Sequence, residues 1–302
     1  MRFIITIFLS LFILTASQAQ KQTIELNLKK GEKYNQVVNA TSTIQQNVAG
    51  QEVNMEILLG GNTAFVVKDI KKGVYDLEVN YEKLNMVMKL PQGEITASSE
   101  DTDSKNIFSM LLGELVNKPF SLKMDKKGKV LEITGEEVLF SSMMSKFPEI
   151  PQAQKQQIIT QLEQAYGENA LKGNIEMVTA IFPENSVKID DTWSVSTKLE
   201  AGFSANVTTE YKLKAVTKDA IVLEGKANID TTKGATESQM FSRVDIQGAT
   251  VSTVKLSPKT GWIISAHVEQ QMKGDSYINN PQTQEEMKIP IEMSSVTEIS
   301  DN

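Results

Sequence analysis

The chain has 302 residues, 40% of them hydrophobic and 23% charged, with a net charge of −7, no cysteine and a single histidine, His267. That composition fits a globular chain and excludes disulfide staples, thiolate or multi-imidazole metal sites, cysteine nucleophiles and any Ser-His-Asp triad not built on His267. An acidic chain also lacks the basic face that nucleic acid requires, so no nucleic-acid partner is expected.

Met1-Arg2 precedes the apolar run Phe3 to Leu14, and Ser17 and Ala19 follow as small residues. This pattern predicts a signal peptide, residues 1–19, cleaved after Ala19. The run is shorter than the roughly 20 residues a membrane helix needs. The expectation is therefore an exported protein, periplasmic or extracellular, soluble and not membrane-spanning after cleavage. The mature chain divides into an N-terminal β-rich half with a helical connector, residues 20–182, and a C-terminal β-rich half, residues 183–302.

From Gln22 onward the dominant hydrophobic period is two. Between Tyr34 and Val48 the even positions are moderately apolar and the odd ones polar, as in a strand with one wet side, and Val53, Met55, Ile57 and Leu59 continue the pattern. In Val74 to Leu90 the apolar set begins at Tyr75, Leu77, Val79 and Tyr81 and then moves to Leu84, Met86, Met88 and Leu90. Such a phase change predicts a bulge near Glu82 and Lys83. Alternation resumes at Phe203 to Leu213, Val244 to Leu256, Trp262 to Met272 (with Ile264, Ala266 and Val268 on the apolar side) and Met287 to Ile299. Lysine beside glycine punctuates these runs, at Lys30-Gly31, Lys72-Gly73, Lys127-Gly128, Lys233-Gly234 and Lys273-Gly274. These are read as soluble hairpin tips, with a second reading in which several tips gather to meet an anionic head group.

Three segments break the period. Asn106 to Val116 and Gly135 to Lys146 carry apolar residues at helical spacing, and Pro151 opens a third helix with Gly167 as its stop. The fold class expected is α+β, mainly antiparallel β: a long curved sheet or half-barrel built from two related β-rich halves, with a few helices between them covering one face. The relation between halves rests on echoes. Ile70 to Glu78 lies 146 positions before the similar Val216 to Glu224, and Met124 to Val130 echoes Leu256 to Ile263 with one residue inserted.

The order of parts resembles an uncharacterised family of exported bacteroidete proteins of similar length, a domain of unknown function. The residues that carry the resemblance are Leu28 to Tyr34, the strand-turn-strand around Asp125 to Ile133, and Phe182-Pro183 leading through Val187 and Asp190-Asp191 to Trp193. Where that family tends to have Gly-Asp before the Trp segment, this chain has Asp190-Asp191. The resemblance implies no catalytic residues. A looser similarity, in architecture alone, is to envelope lipid and lipoprotein carriers, whose curved sheets are apolar inside and lidded by helices.

No catalytic set, metal site or cofactor emerges from the motifs. His267 falls on the polar side of its strand, Ser252 to Lys255 matches Ser-x-x-Lys in a strand that separates the two side chains, and Glu100 to Asp103 lacks the glycine and spacing of a calcium loop. Only Trp193 and Trp262 could stack on a sugar. The methionines are the unusual apolar residues, because flexible thioethers suit both irregular cores and cavities for variable apolar ligands. The expectation is a non-enzymatic envelope protein that binds a hydrophobic small molecule or lipid between sheet and helices, at Met86, Met88, Leu111, Leu112 and Met143. The alternative is a structural or interaction module with a solid core and an envelope protein as partner.

Overall fold

The computed structural model describes residues 21–48, 50–103, 106–116, 118–135, 151–152, 155–156, 167–200, 204–231, 243–279 and 286–301. Strands β1 (Lys33–Val48), β2 (Gln51–Lys71), β3 (Val74–Leu90), β4 (Gly93–Ser98), β5 (Phe120–Asp125) and β6 (Val130–Thr134) come first. The second half supplies β7 (Thr192–Glu200), β8 (Ser204–Val216), β9 (Ile221–Asp230), β10 (Arg243–Leu256), β11 (Ile263–Asn279) and β12 (Glu286–Ser300). Helix α1 (Ile107–Leu115) precedes β5, and α2 (Glu168–Thr179) precedes β7.

All twelve strands join one open, curved sheet in the order β6-β5-β3-β2-β1-β12-β11-β10-β9-β8-β7, with β4 beside the far part of β3. The ladders between these strands are antiparallel. The phase change expected in β3 is present: Asn62 pairs with Lys83 and Thr63 with Tyr81, which leaves Glu82 as the extra residue. The bulge keeps Leu84, Met86 and Met88 on the same face as Tyr75, Leu77 and Val79.

The sequence echoes fall on equivalent strands. Reading along the sheet, both halves run backwards in chain order, so β2-β3 corresponds to β8-β9 and β5-β6 to β10-β11. Register shifts recur at matching places, between Val67/Asp69 and Leu213/Ala215, and again between Lys123/Met124 and Lys255/Leu256. The residues skipped by the first pair, Lys68 and Lys214, make matching cross-strand ion pairs, Lys68–Glu78 at 3.1 Å and Lys214–Glu224 at 3.2 Å. Even the strand entries agree. Gly31 and Asp190 both have positive φ, 85° and 73°, and both donate through N–H to an equivalent carbonyl, of Val67 and of Leu213, at 2.8 Å. At position 190 the chain thus holds an aspartate in a left-handed backbone, a conformation that costs a residue with a Cβ more than it costs glycine. β12 has no counterpart in the first unit and joins the two by pairing with β1 and β11.

The end of the sheet that carries the hairpin turns at 72–73, 126–129, 217–220 and 257–262 is called proximal here, the other end distal. Residues Ile24, Leu26 and Leu28 alternate like a strand, but they form a strap. Leu26 N–H donates to Lys126 O at 2.9 Å, Asn27 N–H to Thr260 O at 2.8 Å, and Gln22 bridges Val187. The strap's apolar side chains are 1–3% exposed and enter a core built from both halves, with Phe65, Leu77, Leu122, Leu213, Leu223, Leu256 and Trp262. Tyr75 fixes it further, its hydroxyl donating to Leu26 O at 2.8 Å.

α2 was not foreseen. Gly167, expected to stop a helix, is its N-cap, and Leu171, Ile175 and Val178 give it an apolar stripe. It packs against both edge strands, β6 and β7. Glu176 Oε1 accepts the edge N–H of Val130 at 2.9 Å, and the segment after the helix accepts Trp193 Nε1–H at Ile181 O, 3.0 Å. α1 lies where the spacing placed it, capped by Asn106, whose side chain accepts from Ser109 N–H. The helical spacing at Gly135 to Lys146 lies outside the described residues apart from Gly135 itself; of the Pro151 helix, only Gln152, Lys155 and Gln156 are described within it, as helical.

Two glycines test the close approaches at the proximal end. A Cβ at Gly128 (φ 75°) would stand 1.9 Å from Thr179 O, whereas one at Gly31 (φ 85°) would meet nothing within 4 Å. Gly128→Ala is expected to cost at least about 3 kcal/mol, by combining left-handed strain with a backbone clash. Gly31→Ala is expected to cost only about 1 kcal/mol. Urea unfolding of the two variants side by side measures the difference.

Candidate ligand-facing surface

Register places each inward side chain in a row running across the strands. The distal apolar row contains Met55, Ile44, Met293, Met272, Gly248 and Ile229, from β2 through β1, β12, β11 and β10 to β9. A Cβ at Gly248 would lie 2.4 Å from Gln271 O and 2.6 Å from Met272 Cγ, so glycine is what lets the row close up there. Nearer the middle the same face turns polar at Ser42, Ser295, Gln270 and Thr250, with Gln270 Nε2–H donating to Thr250 Oγ1 at 3.2 Å. This polar belt separates two buried apolar clusters, the large proximal one and a distal one containing Val207, Ile229, Val244, Ile246, Met272 and Ile291.

Met86 and Met88 lie on this inner face, opposite Leu59 and Ile57 of β2. Both are half-buried, and Leu59 is 49% exposed. Leu111 and Leu112 are half-buried on α1, which packs against β3 and β4, so four of the five expected ligand residues belong to one region of the fold. Met143 lies outside the described residues. Ile107 and Phe108, at the start of α1, are 52% and 48% exposed.

At the proximal end the inner face is filled. A void of about 50 Å³ lies among Met177, Ile181, Tyr211, Val254, Ile263 and Ile299, and one of about 10 Å³ lies beside Gln36 and Trp262. Both are far below the roughly 300–1,000 Å³ of a small-molecule pocket. Burial pushes the Tyr211 hydroxyl up to about 12 and also raises Tyr75. The two tryptophans are structural. Trp262 is 5% exposed, packs on Tyr34 and Phe65, and donates through Nε1–H to Asn35 O at 2.9 Å, while Trp193 stacks on Tyr211.

The outer face carries the polar residues. A shallow open groove of about 740 Å³ crosses β2, β1, β12, β11 and β10, bordered by Asn54, Gln45, Glu292, Lys273 and Gln247. Lys273-Gly274, expected at a hairpin tip, lies inside β11 within this groove. Gly274 marks a close approach of the paired strands β10 and β11, where a Cβ would stand 2.0 Å from Asp245 O. Ile264, expected on the apolar face, is instead the extra residue of the β10-β11 bulge, and Ile263 takes the buried place. Ser252 faces inward and Lys255 outward, as alternation requires. In the acidic loop, Asp101 accepts Asp103 N–H at 2.9 Å and an Asn106 side-chain N–H at 3.2 Å, bonds that order the approach to α1 and lower its pKa, the Asp103 contact most. Among the described residues no group of three His, Asp or Glu side chains converges as metal ligands.

His267 lies on the outer face between Glu269, 3.0 Å from Nε2, and Glu298, 2.5 Å from Nδ1. Both contacts favour the imidazolium, Glu269 more than Glu298, and raise its pKa above 6.5. A raised folded-state value stabilises the fold below the unfolded pKa of 6.5, and that contribution is lost as pH rises through the folded value. The single histidine gives one resolved NMR titration, expected to have its midpoint above 6.5 and to move downward in Glu269→Gln.

The geometry thus defines a class: an open antiparallel sheet curved around an apolar inner face and closed along its edges by a helix. A solved structure of this form is lipovitellin, in one describing its lipid–protein interactions. It has a TM-score of 0.51 at 10% identity over 91% of this chain and 25% of that one, so the chain spans about a quarter of lipovitellin's length. Weaker matches include DynF of the dynemicin biosynthesis pathway of Micromonospora chersina (TM-score 0.23, 7% identity, 93% and 86% coverage) and an outer membrane channel of Pseudomonas putida F1 (0.23, 7%, 91% and 97%). No curated protein matches this chain. A family model matches residues 72–263, and the chain belongs to that family of unknown function, DUF6263. Among the described residues no helix is long and apolar enough to cross a membrane.

Proposed function

We propose that this is an exported, non-enzymatic envelope protein of bacteroidete type that carries a hydrophobic or lipid-like ligand on the distal part of its inner sheet face. The observation that carries the reading is the partly exposed apolar patch of Met55, Ile57 and Leu59 on β2 with Met86 and Met88 on β3, continued through Ile44 and Met293 to the point where Met272 and Ile229 become buried. Four strands, β3 to β12, at about 4.8 Å spacing give this patch a width of roughly 14 Å, enough for part of an acyl chain laid across the strands. Each methylene removed from water there contributes about 0.8 kcal/mol, and thioether side chains adapt to chains of different shape. Export rests on the residues before Gln20, and the lipovitellin likeness supports the carrier reading at the level of fold.

The filled proximal core favours a second reading, an interaction module that holds no ligand. The two separate in one experiment. Protein purified from its own host and examined by native mass spectrometry should carry lipid-sized mass. Leu59→Glu with Met86→Glu should weaken binding of a fluorescent fatty acid at least tenfold while leaving the melting temperature within a few degrees, because Leu59 is exposed and Met86 half-buried. Empty protein together with unchanged probe binding in the double variant would leave the module.

A further inference from the structure

At one corner of the proximal end the strap and three hairpin turns come together. Lys126 O accepts from Leu26 N–H, Lys259 O accepts from the Asn27 side chain at 3.2 Å, Lys30 Nζ reaches Asp69 at 2.9 Å, and a Cβ at Gly73 would stand 3.7 Å from Lys126 Cδ. The corner therefore gathers Lys29-Lys30, Lys71-Lys72, Lys126-Lys127, Lys129 and Lys259 on a protein whose net charge is −7. Of the carboxylates among them, Asp69 is held between Lys71 and Lys30, Glu25 pairs with Lys126, and Asp125 turns inward to accept the N–H groups of Lys127 and Lys129. Glu32 stays exposed. Lys29, Lys72, Lys129 and Lys259 are exposed, and no carboxylate in the corner is bonded to them. Lys72 holds a left-handed backbone (φ 51°) in a turn where asparagine or glycine would fit without strain, which keeps an ammonium at the tip.

We propose that this lysine corner docks the protein on a membrane surface rich in anionic phospholipid, with the four unpaired ammonium groups meeting lipid phosphates. Nothing in this depends on the ligand reading, since the corner lies at the end opposite the distal apolar row. A flat array of phosphates suits exposed, flexible ammonium groups spread over several turns, which act as point charges and need no fixed bidentate geometry. Attraction of this kind is screened: the Debye length falls from about 10 Å at 0.1 M salt to about 3 Å at 1 M.

The test is co-sedimentation of the mature chain with vesicles of phosphatidylcholine alone or mixed with phosphatidylglycerol. Binding is expected only to the anionic vesicles, falling at least tenfold at high salt and at least tenfold in a variant with Lys29, Lys72, Lys129 and Lys259 all changed to Gln. Changing the outer-face lysines Lys226 and Lys273 to Gln should leave binding unchanged. Lys72→Asn alone should raise thermal stability while weakening vesicle binding, opposite signs that a purely structural role would not give. No binding to anionic vesicles, or equal loss in the Lys226/Lys273 control, would overturn the proposal. Vesicle binding that persists in the quadruple variant but vanishes with Leu59→Glu and Met86→Glu would overturn it too and leave the apolar row as the lipid contact.

Discussion

The position of α2 between the two edge strands is the constraint on which the fold turns. An open sheet of this width leaves two rows of unpaired N–H and C=O groups, an invitation to pair with other chains. Curvature brings β6 and β7 to either side of one helix, and Glu176 takes the Val130 N–H while Ile181 and Val187 occupy the rest of the seam. The half-barrel is thereby sealed at its proximal end without full closure into a barrel. The inner face can then be solid where strap and helix fill it and more open at the distal end, where α1 and the Met86 region lie.

Much of this was legible because alternation is a strong signal when one face is buried. The bulge at Glu82 announced itself as a phase change, and the internal repeat as a spacing of 146 residues. That spacing corresponds in the fold to matched ion pairs and bulges at Lys68 and Lys214. The failures have equally definite causes. Ile24, Leu26 and Leu28 alternate, yet their backbone partners belong to separate turns, a long-range fact that no local pattern encodes. α2 begins at a glycine with no side-chain cap, so it lacked the usual start signal, although the Leu171, Ile175, Val178 spacing was there to be found. Lys273-Gly274 has turn chemistry but lies inside β11, where the glycine allows a close approach to β10.

The candidate site divides in the same way. Met86 and Met88 were placed on the inner face by period alone, and Leu111 and Leu112 on a helix by spacing. The sequence could not reveal that the distal row continues through Ile44, Met293 and Met272, because that row is assembled from six strands whose neighbours are far apart in the chain. Nor could it reveal that Trp193 and Trp262 donate their indole N–H groups to backbone carbonyls and pack on neighbouring aromatic rings.

The joint between the two units has a consequence for how the molecule is made. β1 and β12 are partners, so the first of the described strands to be synthesised must wait for the last. Through that interval the β1 edge that takes β12 stands bare, and the high contact order of the final step makes closure slow. A holding chaperone would protect such a polypeptide best by masking the free edge of β1 until its late-arriving neighbour emerges.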